Sequence, residues 1–207
     1  MKYQFIAIEG NIGVGKTTFS RMLAKELKLR IILEEFADNP FLPKFYEHPE
    51  RYAFSLELFF MAERYRQLGE IRDKDLFSKG IVSDYFFVKS KLFAENNLND
   101  DELLLFNRLS DIALKNLPKP DLLIYLHSDV KRLQFNIEKR GRSFEQNISN
   151  DYLFDIQNKY FDFFKKHPDF PILIVDVSEV DFVNQKDIFQ RLVALTSKSH
   201  QKGINRI

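Results

Sequence analysis

Gly10-Asn11-Ile12-Gly13-Val14-Gly15-Lys16-Thr17-Thr18 lies between a short apolar run and a stretch with apolar residues at Phe19, Met22, Leu23 and Leu27. The run, residues 3–9, reads as a buried strand, and residues 16–28 read as an amphipathic helix. Gly10, Gly15, Lys16 and Thr17 meet the spacing G-x-x-x-x-G-K-[ST], and Gly13 adds a third glycine. Successive backbone N–H groups converge on an anion only where no Cβ intervenes, and the helix N-terminus adds partial positive charge. The stretch therefore reads as a phosphate cradle. Lys16 reaches the β- and γ-phosphates, the Thr17 hydroxyl is suited to Mg²⁺, and Thr18 is placed to touch the α-phosphate. The loop by itself leaves the acceptor of the phosphoryl group open.

The chain has 207 residues, enough for a sizeable core, and is expected to form one domain over residues 1–207. Its 31 basic and 30 acidic side chains leave a net charge of +1, which argues against a nucleic-acid polymer or an anionic membrane as partner. There is no cysteine, so disulfides and thiolate metal sites are excluded. His48, His127, His167 and His200 are scattered without ligand spacing and read as structural or surface residues. No run approaches the length of a membrane span and none resembles a signal peptide, so a cytoplasmic protein is expected. The 22 phenylalanines and 8 tyrosines can fill a core or wall a pocket for a flat ring.

Outward from the loop, apolar runs alternate with helical patterns. Ile31-Ile32-Leu33 is a short strand ending in Glu34-Glu35, and Asp38-Asn39-Pro40 signals a turn. In an open parallel sheet, that carboxylate end lies beside the phosphate loop. From Tyr52 to about Leu68 the spacing is helical, with Glu57 and Arg64 on one face seven residues apart; solvated charges or a bracket for a flat ligand are both open. Gly80-Ile81-Val82-Ser83-Asp84 is a strand ending in an acid that either faces Mg²⁺ or caps a helix over 86–95. Asn99-Asp100 caps a scaffold helix closed by Pro118 and Pro120. Leu122–Leu126 is a strand, and Ser128 or Asp129 caps a helix that ends in Lys139-Arg140-Gly141-Arg142, followed by Ser143-Phe144-Glu145. A helix over 149–166, a fifth strand over 171–175 and a last helix over 186–197 complete an α/β pattern with right-handed crossovers. The tail from Ser199 is polar and expected to be mobile.

Taken in order, Gly10–Thr18, Glu34-Glu35-Phe36-Ala37-Asp38-Asn39-Pro40, Phe45-Tyr46-Glu47-His48-Pro49-Glu50-Arg51-Tyr52 and Lys139-Arg140-Gly141-Arg142 resemble the deoxynucleoside kinase family, in particular its bacterial deoxyadenosine/deoxyguanosine kinase branch. The resemblance spans nearly the whole chain. It implies a P-loop kinase fold, a five-stranded parallel sheet flanked by helices with a short helical lid over about 137–148. It also implies ATP and Mg²⁺, a homodimer, and phosphoryl transfer to a deoxynucleoside 5′-hydroxyl in nucleotide salvage. Glu34 matches the general base, with Lys16, Arg140 and Arg142 as the cations around the transferring group. The phosphate loop, Gly10, Asn11, Ile12, Gly13, Val14, Gly15, Lys16, Thr17 and Thr18, would hold the nucleotide, and Phe182 matches an aromatic that packs on its adenine. Tyr46 and Glu145 match the pair that grips the sugar 3′-hydroxyl, Glu57 and Arg64 the base readers, and Thr17 and Asp84 the metal-facing pair.

The chain departs from the family in four places. Asp84-Tyr85-Phe86 stands where an acid-Arg-Ser sequence is usual, so Lys89, Lys91 or the lid arginines must supply the missing cation. Asn136 replaces a lid-helix arginine, and Glu35 stands where proline often follows the base. At position 57 the family's usual glutamine both donates and accepts, whereas an ionised glutamate only accepts. Guanine offers N1–H and N2–H₂ as donors, so Glu57 inclines the reading to deoxyguanosine, unless Glu57 simply pairs with Arg64. Two alternatives stay open: a nucleoside monophosphate kinase, and a nucleotide-binding regulatory protein without turnover.

Overall fold

Strand β1 (Phe5–Gly10) is buried along its whole length and alternates its faces. Ile6 and Ile8 join one apolar layer, Phe5 and Ala7 the other. The computed structural model describes residues 2–35, 39–74, 80–167 and 169–207, so Phe36-Ala37-Asp38 of the quoted motif lies outside the described residues. Among these, β1 is joined by β2 (Arg30–Ile32), β3 (Ile81–Ser83), β4 (Leu122–His127), β5 (Pro171–Asp176) and β6 (Gly203–Arg206). The strand order is β2-β3-β1-β4-β5-β6 and every pairing is parallel.

Helices α1 (Lys16–Leu27), α6 (Val130–Arg140) and α8 (Lys186–Leu195) cover the face that carries Ile6 and Ile8. Helices α3 (Pro49–Lys74), α4 (Lys89–Asn97), α5 (Asp100–Leu114) and α7 (Asn150–Lys166) cover the opposite face. A satellite cluster joins α3 to α2 (Leu42–Glu47) through Phe45, Ala53 and Leu56. Leu122, Leu123 and Leu126 on β4 are fully buried, and each such side chain contributes about 1.5–3 kcal/mol relative to exposure. Side-chain caps start three helices: Asn99 accepts from the Glu102 N–H, Asp129 from that of Arg132 and Ser149 from that of Tyr152. Between the two residues considered for α6, Asp129 is therefore the cap.

The chain leaves β1 towards β2 and β3 on one side and later crosses to β4 on the other. β1 is thus the point where the strand order reverses, the place where open α/β sheets bind ligands. Two expectations need correction. The segment from Ser199, expected as a polar mobile tail, is held in place and supplies a sixth strand where five were expected. Gly203 and Ile207 donate backbone hydrogen bonds of 3.0 and 3.1 Å to the carbonyls of Phe170 and Ile174, and the Tyr3 hydroxyl donates to the Lys198 carbonyl. An edge strand requires only backbone groups from its partner, so polar side chains conceal it. The helix expected over 86–95 begins at Lys89, because Phe87 and Val88 form a turn closed by the Lys89 N–H on the Phe86 carbonyl at 3.0 Å, while the Phe86 N–H donates to Glu9 Oε1 at 2.6 Å. Asp84 does not cap α4, whose N-cap is Val88.

Candidate active site

The phosphate loop runs from the last residue of β1 into α1. Gly13 and Gly15 have φ of +84° and +95°, a region side chains rarely adopt. A Cβ at Gly13 would meet the Leu133 carbonyl oxygen at 2.8 Å, and one at Gly15 would meet the Phe182 ring at 3.2 Å. Asn11 locks the loop, donating to the Leu153 carbonyl at 2.6 Å while accepting from the Ile12 N–H at 2.8 Å. Asn136, one of the departures noted above, donates to the Gly13 carbonyl at 2.9 Å. It fastens α6 to the loop instead of adding a charge.

Lys16 Nζ is 2.8 Å from the carbonyl oxygens of both Gly10 and Asn11. Burial and the nearby Lys89 lower its pKa to about 8, against the opposing pull of Glu9, Glu34 and Asp84. Thr17 Oγ1 donates to Asp84 Oδ2 at 2.5 Å, and Asp84 Oδ1 accepts from the Glu34 N–H at 2.7 Å. Burial, then the Glu34 charge, raises the Asp84 pKa. A divalent cation beside Thr17 and Asp84 would relieve that unfavourable burial of charge, so the pair fits Mg²⁺. Among the described residues no group of three or more His, Cys, Asp or Glu side chains could hold a metal, so such an ion would complete its shell with phosphate oxygens and water. Phe182 is 6% exposed, meets Phe19 edge-on at 5.4 Å, and lines the donor cleft with Thr18 and Arg132.

A second cleft, with a cavity volume of about 120 Å³, opens from Gly13, Lys16 and Thr17 onto Glu34, Tyr46, Glu57, Arg64, Asp84, Arg140, Arg142 and Glu145. These sequence-selected residues therefore converge, from distant stretches of chain, on one space with apolar walls that include Phe45, Phe60 and Phe93. Glu34 is at its centre. Its Oε1 accepts from Arg64 Nε and Nη2 at 2.9 and 2.6 Å, and its Oε2 from Lys89 Nζ at 2.5 Å. Burial raises the Glu34 pKa, but the charges and hydrogen bonds of Lys89 and Arg64 outweigh it and hold the carboxyl well below the usual carboxylate range.

Of the cations considered for the place left after β3, Lys89, 6% exposed at the first turn of α4, is the one bonded to Glu34. Lys91 pairs instead with Asp111 outside the cleft, and Tyr85 turns into the core, where its hydroxyl donates to Gln67. Arg140 and Arg142 both engage Glu145, the latter at 3.1 Å. Tyr46 stacks on Phe144 at 6.0 Å, and burial, then the Glu145 charge, pushes its phenol pKa up.

Glu57 and Arg64 share the cleft-facing side of α3 but do not pair with each other. Arg64 Nη1 donates to Ser90 Oγ at 2.7 Å, while Glu57 Oε1 accepts from Asn97 Nδ2 at 2.7 Å. Asn97 and Ser90 were missed from sequence. Lys89, Phe93 and Asn97 recur at intervals of four along α4, a helical face that could have been read.

The fold and cleft agree with relatives of known activity. A family model described as deoxynucleoside kinase matches residues 6–200. A deoxyguanosine kinase of Bacillus subtilis (strain 168) is 38% identical over 196 residues, covering 92% of this chain and 94% of that protein. A deoxyadenosine kinase of Lactobacillus acidophilus is 30% identical over 205 residues, covering 91% and 94%. The structure of deoxyadenosine kinase from M. mycoides with bound dATP superposes with a TM-score of 0.81 at 26% identity, covering 94% of this chain and all of that one. With a phosphate loop opening onto one charged, aromatic-walled cleft and matches along nearly its whole length, the chain belongs to the deoxynucleoside kinase family.

Proposed function

We propose that this chain transfers the γ-phosphoryl group of ATP to the 5′-hydroxyl of a purine deoxynucleoside, deoxyguanosine above deoxyadenosine, in nucleotide salvage. The reading is carried by the position of Glu34, hydrogen-bonded through its N–H to the Thr17-bound Asp84 and lining the cleft that holds Glu57 and Glu145. Its carboxylate accepts the 5′-hydroxyl proton as the 5′-oxygen bonds to Pγ and the bond to the β,γ-bridging oxygen breaks, leaving ADP with the electron pair. Insertion of the hydroxyl between Glu34 and Lys89 removes one stabilising hydrogen bond from the carboxylate and raises its proton affinity.

Lys16 and Lys89 face the charge that develops on the phosphoryl oxygens, joined by Arg140 and Arg142 when residues 137–148 close as a lid. Thr17 and Asp84 would hold Mg²⁺, which when bound neutralises charge on the phosphates. Tyr46 and Glu145 grip the 3′-hydroxyl, Glu57 and Arg64 read the base, and Phe182 packs on the adenine of ATP. Glu34, Glu57 and Glu145 offer acceptors suited to neutral sugar hydroxyls, and the wall's cations Arg64, Lys89, Arg140 and Arg142 are each bonded to Glu34 or Glu145, which favours a nucleoside over a monophosphate as acceptor.

The protein acts in the cytoplasm as a homodimer. Among the described residues no helix is long and apolar enough to cross a membrane. Exposed Leu104, Leu105 and Ile112 on α5 form the apolar face that a second copy would cover, which light scattering at micromolar concentration tests. For the activity, Mg-ATP is supplied with each of the four deoxynucleosides and with their monophosphates. Product is expected from deoxynucleosides, deoxyguanosine fastest, with Glu34→Gln lowering kcat by about 10²-fold or more. Binding without product would overturn the kinase reading in favour of a regulatory role.

A further inference from the structure

Glu57 is 1% exposed in the cleft wall, and its two oxygens differ. Oε1 accepts from Asn97; Oε2 is sealed from solvent and has no hydrogen-bond partner. Arg64 does not serve it, because the Nε, Nη1 and Nη2 atoms of that guanidinium are directed at Glu34 and Ser90. A buried acceptor without a donor, in the wall of the cleft that opens from the phosphate loop, calls for a donor from the ligand.

We infer that the Asn97–Glu57 pair selects the purine by its charge: the carboxylate takes guanine, and the carboxylic acid also admits adenine. Guanine presents N1–H beside N2–H₂, two donors for two acceptor oxygens. Adenine presents a bare N1 beside N6–H₂, so an ionised Glu57 would set its lone pairs against N1. A protonated Glu57 donates its O–H to N1 and accepts from N6 through the carbonyl oxygen. Asn97 is a positioning residue: it occupies one lone pair of Oε1 and so fixes the orientation of the carboxyl, leaving the other lone pair of Oε1 and both of Oε2 for the base. This inference rests on the kinase reading and deepens it.

The groups that face Glu57 come from every neighbouring element. They are Arg64 on α3, Lys89 and Asn97 on α4, Glu34 after β2, Tyr46 on α2 and Tyr152 on α7. Burial raises the Glu57 pKa and Arg64, Asn97 and Lys89 draw it down, with Glu34 pushing up again, for a balance at about 7. Burial, then neighbouring charge or phenol, raises both tyrosines, which therefore stay neutral near pH 7.

The test is the ratio of kcat/KM for deoxyguanosine to that for deoxyadenosine, measured on the same sample with saturating Mg-ATP from about pH 5.5 to 8.5. Sharing the sample cancels both loss of active protein and titration of groups common to the two reactions. The ratio is expected to be level at low pH and to climb by up to about tenfold per unit above the Glu57 pKa. Glu57→Gln should flatten and lower it, and Asn97→Asp, which sets a second carboxylate against Glu57, should move the rise to higher pH by about one unit. A level wild-type ratio, or a rise that survives in Glu57→Gln, overturns the inference, and an unmoved rise in Asn97→Asp overturns the role of Asn97. Should no nucleoside be phosphorylated at any pH, the kinase reading fails instead. Calorimetric affinities for the two nucleosides over the same pH range then decide the selection by the same pattern.

Discussion

The two walls of the cleft are built differently. The phosphate wall is one continuous run, Gly10–Thr18, held chiefly by backbone geometry and by Asn11 and Asn136. The opposite wall is gathered from Glu34, Tyr46, the α3 face of Glu57 and Arg64, the α4 face of Lys89 and Asn97, and Arg140 to Glu145. Its charges are arranged pairwise: Glu34 with Lys89 and Arg64, Glu145 with Arg140 and Arg142. Only Glu57 among these carboxylates lacks a directly bonded cation, and burial raises its pKa, whereas Lys89 and Arg64 hold that of Glu34 low. A backbone cradle fits any nucleotide, whereas a wall of side chains from separate elements can be tuned residue by residue.

The largest expected effect tests the first wall. Lys16→Ala should lower kcat/KM by about 10³-fold in steady-state assays while circular dichroism stays unchanged, because the helix start is held by glycine geometry and not by the lysine. A change below tenfold would break the distinction between a backbone cradle and its one essential side chain. Next, Lys89→Met should cost about 10²-fold in kcat, whereas Lys91→Met, which removes only a partner of Asp111 outside the cleft, should stay within about twofold. Equal losses would mean that the cation missing after β3 is not replaced from α4.

A third prediction concerns stability. Because burial raises the folded-state pKa of Glu57 to about 7, above the ordinary glutamate value of 4.5, its destabilisation is absent below pH 4.5, grows between 4.5 and 7, and is complete above 7. Glu57→Gln should therefore raise unfolding stability by about 2–3 kcal/mol at pH 8 and leave it nearly unchanged at pH 4.5, measured by denaturant titration. The smallest effect belongs to a residue in neither wall: Asn99→Ala removes the α5 cap and should cost about 1 kcal/mol with kcat/KM unchanged.

Much of this molecule was readable in advance, and the limits have physical causes. The strand–loop–helix at the start, the buried β4 run, and the cap at Asn99 depend on near neighbours and follow from local spacing. Glu57 and Arg64 share a face as helical spacing requires, but whether they bonded to each other was undecidable, since the competing partners Glu34, Ser90 and Asn97 arrive from other elements. β6 was hidden because its partner is a backbone edge, and the pairing of Glu34 with Lys89 and not Lys91 was hidden because it depends on which side of α4 faces the cleft.

What the sequence determined by itself is the phosphate cradle and the α/β order around it, because glycine placement, a lysine and apolar periodicity act within a few residues of one another. What only the tertiary structure decided is the pairing of charges in the opposite wall. Burial and the distance between side chains on separate elements set which carboxylates are neutralised, and they leave Glu57 Oε2 as the one sealed carboxylate oxygen without a partner among the described residues.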